Sequence, residues 1–287
     1  MGRIDVGDKR KPPKVVHTGV VESTERLTDG MVRVVLGGDG LARFETTGST
    51  DSYVKLLLRP DGAPLPEPFD LERFKEQRSK AEWPVKRTYT VRAWDPQQRR
   101  LTIDFVVHGD RGVAGPWAAA ARPGDRLHFM GPGGGYAPGD WADWHLLAGD
   151  ESALPAIAAA VEALPHHCRA HVFVEVEGAQ HEQHVTTPEG VHLTWLHRGR
   201  GPVGSSLVPA VRDLDFPDGE VHAFVHGEAH FVKELRSLLR VDRGVSKKNM
   251  SISGYWKRGG NEDVWQSAKT EFNQAMEDEE AARIAAA

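Results

Sequence analysis

The sequence predicts two domains of different class: a six-stranded antiparallel Greek-key barrel, then an α/β domain with a mainly parallel sheet. Three observations lead there. Up to about residue 130, short β-like runs are punctuated by turn signals such as Gly37-Gly38-Asp39-Gly40 and Asp95-Pro96. From Trp144 onward the rhythm changes, and short apolar strands alternate with helical stretches. Between the two lies the glycine-rich crossing Gly131-Pro132-Gly133-Gly134-Gly135, which sets a boundary near residues 137–143.

A chain of 287 residues is long enough for both domains. Hydrophobic residues make up 39% and charged residues 27%, the balance of a soluble globular protein. Residues 1–14 are charged and proline-bearing and read as a disordered lead-in. No apolar run approaches the roughly 18 residues of a membrane span, and the N-terminus lacks a signal peptide's apolar segment. A cytoplasmic monomer is the expectation. Cys168 is the single cysteine, which excludes an internal disulfide and an iron–sulfur cluster built within one chain. The net charge of −5 argues against general nucleic-acid affinity.

The barrel strands are expected at residues 15–21, 31–36, 53–58, 87–92, 100–107 and 126–130. Residues 60–84, with several prolines and many charges, read as an insertion or flap outside the core. The fourth strand, Arg87-Thr88-Tyr89-Thr90-Val91-Arg92, is unusual. Alternation sends Arg87, Tyr89 and Val91 one way and Thr88, Thr90 and Arg92 the other. Buried guanidinium groups are costly unless paired, so this is a poor core strand. It suits the floor of a site for an anionic, planar ligand: arginine forks grip phosphate, a phenol stacks, and a threonine hydroxyl bonds a ring nitrogen. The same residues also suit an edge strand with solvated arginines.

Two further stretches bear on a site. His108-Gly109-Asp110-Arg111-Gly112-Val113-Ala114-Gly115-Pro116-Trp117 leads from the fifth strand into an alanine-rich helix, where glycines permit close backbone approach to an anion. An ordinary strand-to-helix loop remains the alternative. In the second domain, strands are expected at 144–148, 170–176, 191–196 and 221–226, with helices at 156–164, 205–214 and 231–241. Parallel sheets of this kind hold ligands at the carboxyl ends of their strands, where Gly149-Asp150-Glu151-Ser152-Ala153 and Gly227-Glu228-Ala229 fall. The G-x-G-x-x-G dinucleotide fingerprint is absent. Asp150 and Glu151 suit helix capping or acid/base work. Lys233, Arg236 and Arg240 share one helix face, either as a solvated basic face or as partners for a 2′-phosphate. Residues 262–287 form a terminal helix with an apolar stripe of Val264, Ala268, Phe272 and Met276.

The R-x-Y-T-x-R pattern at 87–92 resembles the flavin-binding motif of ferredoxin-reductase-like flavoproteins, in the form found in siderophore-interacting proteins. The blocks Gly149-Asp150-Glu151-Ser152-Ala153-Leu154-Pro155-Ala156-Ile157 and Ser253-Gly254-Tyr255-Trp256-Lys257-Arg258-Gly259 resemble two further signatures of that family, and the resemblance runs from about residue 15 to 265. Serine at 152 replaces the commoner threonine, and Pro116 is followed directly by Trp117 where the family often has alanine.

The family is one of FAD-dependent ferric-siderophore reductases, and the resemblance implies FAD as cofactor. Arg87 and Arg92 would face the ribityl and phosphate part, Tyr89 the isoalloxazine and Thr90 its N5 edge, with Val91 beside them. His108, Gly109, Gly115, Pro116 and Trp117 would cradle the pyrophosphate. Asp150, Ser152 and Ala153 would lie beside the flavin. Trp256 would hold its outer face, and Lys257 and Arg258 would attract an anionic ferric hydroxamate or catecholate. The donor implied is NADH, NADPH or a ferredoxin. A general NAD(P)H flavin reductase and a non-catalytic siderophore-binding protein are the alternatives. No side chain is expected to hold a metal: His166, His167, His181 and His184 read as loop histidines, with iron arriving inside the substrate.

Overall fold

The structure, a computed structural model, describes residues 15–286; the expected lead-in at 1–14 lies outside the described residues. The N-terminal half is an antiparallel sheet of β1 (Val16–Thr28), β2 (Met31–Gly37), β3 (Tyr53–Leu58), β4 (Val85–Thr90), β5 (Ala93–Asp95), β6 (Arg100–Val106) and β7 (Arg126–Gly133). Their order is β4-β3-β7-β1-β2-β6-β5, so the sheet has seven strands where six were expected. The addition is β5, which folds back on β6 through the Asp95-Pro96 turn. Asp95 Oδ1 accepts from the backbone N–H of Gln97 and Gln98 at 2.9 Å and closes that turn.

Inward-facing Val34, Leu36, Leu56, Leu101, Ile103, Phe105, Leu127 and Phe129 are fully or almost fully buried and fill the barrel. Helix α2 (Ala114–Ala120) caps it with the small side chains of Ala114 and Ala118. The 60–84 insertion is not a free flap. It carries helix α1 (Leu71–Gln77), N-capped by Asp70, and Leu71 packs with Leu57 and Met130 on the outer face of β3 and β7.

Strand β4 stops at Thr90, two residues short of its predicted end. The Val91 N–H donates to Ser52 O at 2.7 Å and the Arg92 N–H to Thr102 O at 2.9 Å, so the chain crosses there from β3 toward β6. Val91 is buried in the barrel core, in the same cluster on which the Tyr89 ring packs.

The C-terminal half contains β8 (Trp144–Asp150), α3 (Leu154–Glu162), β9 (Ala170–Val176), β10 (Val191–His197), α4 (Leu207–Arg212), β11 (Val221–Glu228), α5 (Ala229–Ser237), β12 (Met250–Trp256) and α6 (Glu262–Ala286). The sheet order is β10-β9-β8-β11-β12, with every pairing parallel. The order reverses between β8 and β11, the place where open α/β sheets form a crevice. Strand β12 was unforeseen as a strand because Ser251, Ser253 and Gly254 deny it an apolar pattern.

Helix α6 docks by most of the predicted stripe. Met276 is buried and Phe272 packs on the buried Trp265 with ring centroids 5.3 Å apart, whereas at the start of the stripe Trp265 takes the inward place and Val264 is 57% exposed. Gly254 makes room for the Trp265 ring, since a Cβ there would lie 2.8 Å from it. The basic face running from α5 into the turn after it is paired with acids, with Lys233 still 37% exposed. Lys233 pairs with Glu279 at 2.5 Å, and Arg236 and Arg240 both grip Glu280 at 2.7 Å, fastening α6 to the domain.

Candidate functional site

A cavity of about 730 Å³ lies between the barrel and the carboxyl ends of β8 and β11, within the range of ~300–1,000 Å³ usual for small-molecule sites. The barrel contributes Arg87, Thr88, Tyr89 and Thr90 from β4, and His108 with residues 111–115 from the loop into α2. The α/β domain contributes Asp150 and Ser152 after β8, His226 on β11, and Ser251, Ser253, Tyr255 and Trp256 on β12. Glu262 and Lys269 of α6 complete the wall.

Tyr89 lies over Phe105, ring centroids 4.6 Å apart, and burial pushes its phenol pKa well up. Thr90 hydrogen-bonds the Tyr255 hydroxyl across the domain boundary. Strand β12 offers Ser251, Ser253 and Tyr255 at alternate positions, all on the cavity side. Each meets a different element: Ser251 Oγ lies 3.0 Å from His226 Nε2, Ser253 Oγ accepts from Lys269 Nζ at 3.0 Å, and Tyr255 meets Thr90. Burial pushes the His226 pKa down to about 3, so the ring is neutral at pH 7, and its Nδ1 is buried without a partner.

The acidic groups of the wall are already engaged. Asp51 accepts from the Gly135 and Tyr136 N–H groups at 2.8 Å, and Asp104 is held by Arg33 at 2.7 and 2.8 Å. Glu151 pairs with Arg198 at 2.7 Å. Asp150 accepts from Ser152, Glu228 and Trp256, yet its full burial pushes its pKa up to about 6. Among the described residues, Lys55 and Arg111 line the cavity without an ion-pair partner. Burial lowers the Lys269 pKa, partly offset by the nearby Glu262; its ammonium donates to Ser253 and lies 5.9 Å from the Trp265 ring centroid. The cavity is therefore aromatic on both sides, and its carboxylates are engaged by other groups. A planar anionic ligand fits it.

Not every predicted site residue arrives there. Arg87, Tyr89, Thr90, His108, Gly115, Asp150, Ser152 and Trp256 line the cavity, whereas the following do not. Val91 and Ala153 are core residues. Arg92 is held by Glu162 at 2.8 and 2.5 Å. Trp117 packs on Phe105 at 5.6 Å, and neither Pro116 nor Gly109 reaches the wall. Lys257 lies over the Phe272 ring at 5.3 Å, and Arg258 is tied through its backbone N–H to Glu228 at 3.0 Å. The cavity cations are instead Lys55, Arg87, Arg111, Arg198 and Lys269. Of the residues missed by sequence reasoning, Ser251 and Ser253 carried a signal in their strict alternation with Tyr255; Lys55 and Lys269 carried none.

Among the described residues no group of three or more His, Cys, Asp or Glu side chains is placed to hold a metal ion. Among the described residues, no helix is long and apolar enough to cross a membrane.

Comparison with known proteins agrees with this architecture. Residues 20–136 match the model of the siderophore-interacting FAD-binding domain, and residues 142–259 match that of the siderophore-interacting protein. An uncharacterized protein of Mycobacterium tuberculosis is 44% identical over 91% of this chain and 96% of its own. The ferric vibriobactin reductase ViuB of Vibrio cholerae is 34% identical, covering 83% of this chain and 88% of its own. The crystal structure of a siderophore utilization protein from T. fusca superposes with a TM-score of 0.74 at 37% identity, covering 87% of this chain and 95% of that one.

Proposed function

The chain belongs to the siderophore-interacting protein family, and on that premise we propose that it is an FAD-dependent reductase of ferric siderophores supplied by NADH, NADPH or a ferredoxin. The carrying observation is the interdomain cavity, which combines β4 of the barrel, aromatic rings from both domains and the cations Lys55 and Arg111, which have no ion-pair partner among the described residues. Those features also fit FAD: rings for an isoalloxazine, arginine forks for phosphates, and the unpartnered His226 Nδ1 for a polar atom. Once bound, FAD supplies electron transfer to iron(III), chemistry the side chains themselves do not possess.

The residues divide the work by domain. Arg87 and Arg111 are the barrel cations able to take phosphate, with Arg87 exchanging its carboxylate partners for the ligand. Tyr89 is fixed by Phe105 and gives a rigid ring face. Thr90, held by Tyr255, offers the hydroxyl for a ring-nitrogen edge. Lys55 and Lys269 bring positive charge to the same wall and attract an anionic ferric hydroxamate or catecholate. No side-chain acid or base is required, because reduction of the chelated metal moves an electron and leaves protons in place. Iron(II) then leaves, since hard oxygen donors hold it less well than iron(III).

The test is an absorbance spectrum of the purified protein, then anaerobic addition of NADH or NADPH with a ferric hydroxamate and a ferrous trap. Flavin bands that bleach and recover as the ferrous complex forms support the reading. Flavin that neither nucleotide bleaches points to a ferredoxin. Protein that takes up no added FAD overturns it, and preference for free FMN over the chelate would mean a flavin reductase.

A further inference from the structure

We propose that Asp150 and Glu228 are positioning residues that act through Trp256, forming a carboxylate clamp that fixes the indole as one wall of the interdomain cavity. The inference rests on the flavin site proposed above. Both acids are 1% exposed and end adjacent parallel strands, β8 and β11. Burying a carboxylate costs several kcal/mol before its partners are counted, so what those partners are matters.

Local capping accounts for half of each carboxylate. Asp150 Oδ1 accepts from the Ser152 N–H and hydroxyl at 2.9 and 2.5 Å, closing the turn into α3. Glu228 Oε2 accepts from the His230 N–H at 2.8 Å, capping α5. The other oxygens reach a different segment. Asp150 Oδ2 accepts from Trp256 Nε1 at 2.8 Å, and Glu228 Oε1, which also lies 2.8 Å from His230 Nδ1, accepts from the Arg258 N–H at 3.0 Å. The pair thus pins Trp256 by its side chain and the backbone two residues later. A hydrogen bond from the Glu228 N–H to Asp150 Oδ2, at 3.0 Å, links the two halves.

The backbone is built around this arrangement. In the β11–β12 register Gly227 faces Gly254 and Glu228 faces Trp256, so Tyr255 is a bulge. Regular alternation would send Trp256 to the face opposite Tyr255; with the bulge, both rings line the cavity. Gly227 has φ +138°, and a Cβ there would stand 2.8 Å from Asp150 Cγ and 2.6 Å from the Phe231 ring. Only glycine leaves room for the carboxylate.

The test reads the indole directly. The chain has eight tryptophans, and the Trp256 Nε1–H resonance is the one lost from the NMR spectrum of Trp256→Phe. In the protein without flavin this proton exchanges slowly. Asp150→Ala accelerates its exchange about tenfold or more, while Asp150→Asn, which keeps a carbonyl acceptor, restores part of the protection. FAD titration of the same proteins shows an about tenfold weaker dissociation constant and an altered visible circular dichroism for Asp150→Ala and Trp256→Phe alike, with no further change in the double variant. Unchanged exchange in both Asp150 variants overturns the clamp. So does an Asp150 effect on FAD that keeps its full size in the Trp256→Phe background. A wild type that binds no FAD sinks the proposed function, while the exchange measurement still decides the clamp.

Discussion

Arg87 of the barrel strand and Asp263 at the start of the C-terminal helix form a two-pronged ion pair, with N···O distances of 3.2 and 3.0 Å between residues 176 positions apart. Glu262 adds a carboxylate that accepts from the Thr88 N–H at 3.0 Å. The first turn of α6 therefore occupies the guanidinium that an anionic ligand needs.

Competition for Arg87 sets the first prediction. Asp263 is half-exposed, and exposed pairs are worth ~0.2–1 kcal/mol, so Asp263→Asn should tighten FAD binding about threefold at low salt. Arg87→Ala should weaken it about tenfold or more. Flavin fluorescence titration at two ionic strengths checks both.

Tyr89 serves the core as well as the cavity, because its ring lies on Phe105 within the barrel cluster. Tyr89→Ala should perturb the bound-flavin spectrum and also cost about 3 kcal/mol in urea denaturation. Tyr89→Phe keeps the ring and should keep most of that stability.

The positions of the lysines give a third prediction. Lys269→Ala should raise KM for an anionic ferric chelate about fivefold with kcat little changed, whereas Lys257→Ala, whose ammonium lies over Phe272, should leave KM close to wild type. Steady-state assays with a ferrous trap separate the two.

Acid should destabilise the fold. Burial holds His226 at about 3 and His145 at about 4, both below the ordinary 6.5. Below pH 6.5 the unfolded chain takes up protons that the native rings refuse, so each costs about 1.4 kcal/mol per pH unit until its native pKa is reached. Asp150 works the other way between its ordinary 3.8 and about 6, where the native state holds the extra proton. Burial also lowers His17, His108, His128, His171 and His222, which add to the loss, so the net expectation is a stability that falls from pH 6 to pH 4. Urea midpoints measured across that range should show it, and His226→Gln should make the slope shallower.

Much of the fold was legible because each half keeps its own rhythm: alternating runs between turns, then strands separated by helices. The misses share a physical cause. Strand β12 carries polar residues on its cavity face, so its strand signal was hidden by the site it serves. The α6 stripe holds at Phe272 and Met276 but starts at Trp265 and not at Val264; both are apolar, and only the fit of Trp265 over Gly254 chooses between them.

By itself the sequence determined the two domain classes, the family resemblance, and the β4 and Gly149–Ala153 segments as places where a site would form. It could do so because alternation, glycine turns and clustered arginines act over a few residues. Which charges face the cavity was decided only by the tertiary structure. Arg92 is matched by Glu162, Lys257 lies over Phe272 and Arg258 stays off the cavity wall, while Lys55 and Lys269, anonymous in the chain, converge from β3 and α6. Whether a charge reaches a ligand depends on where folding places it and what it meets there, and that is set by contacts between residues far apart in the sequence.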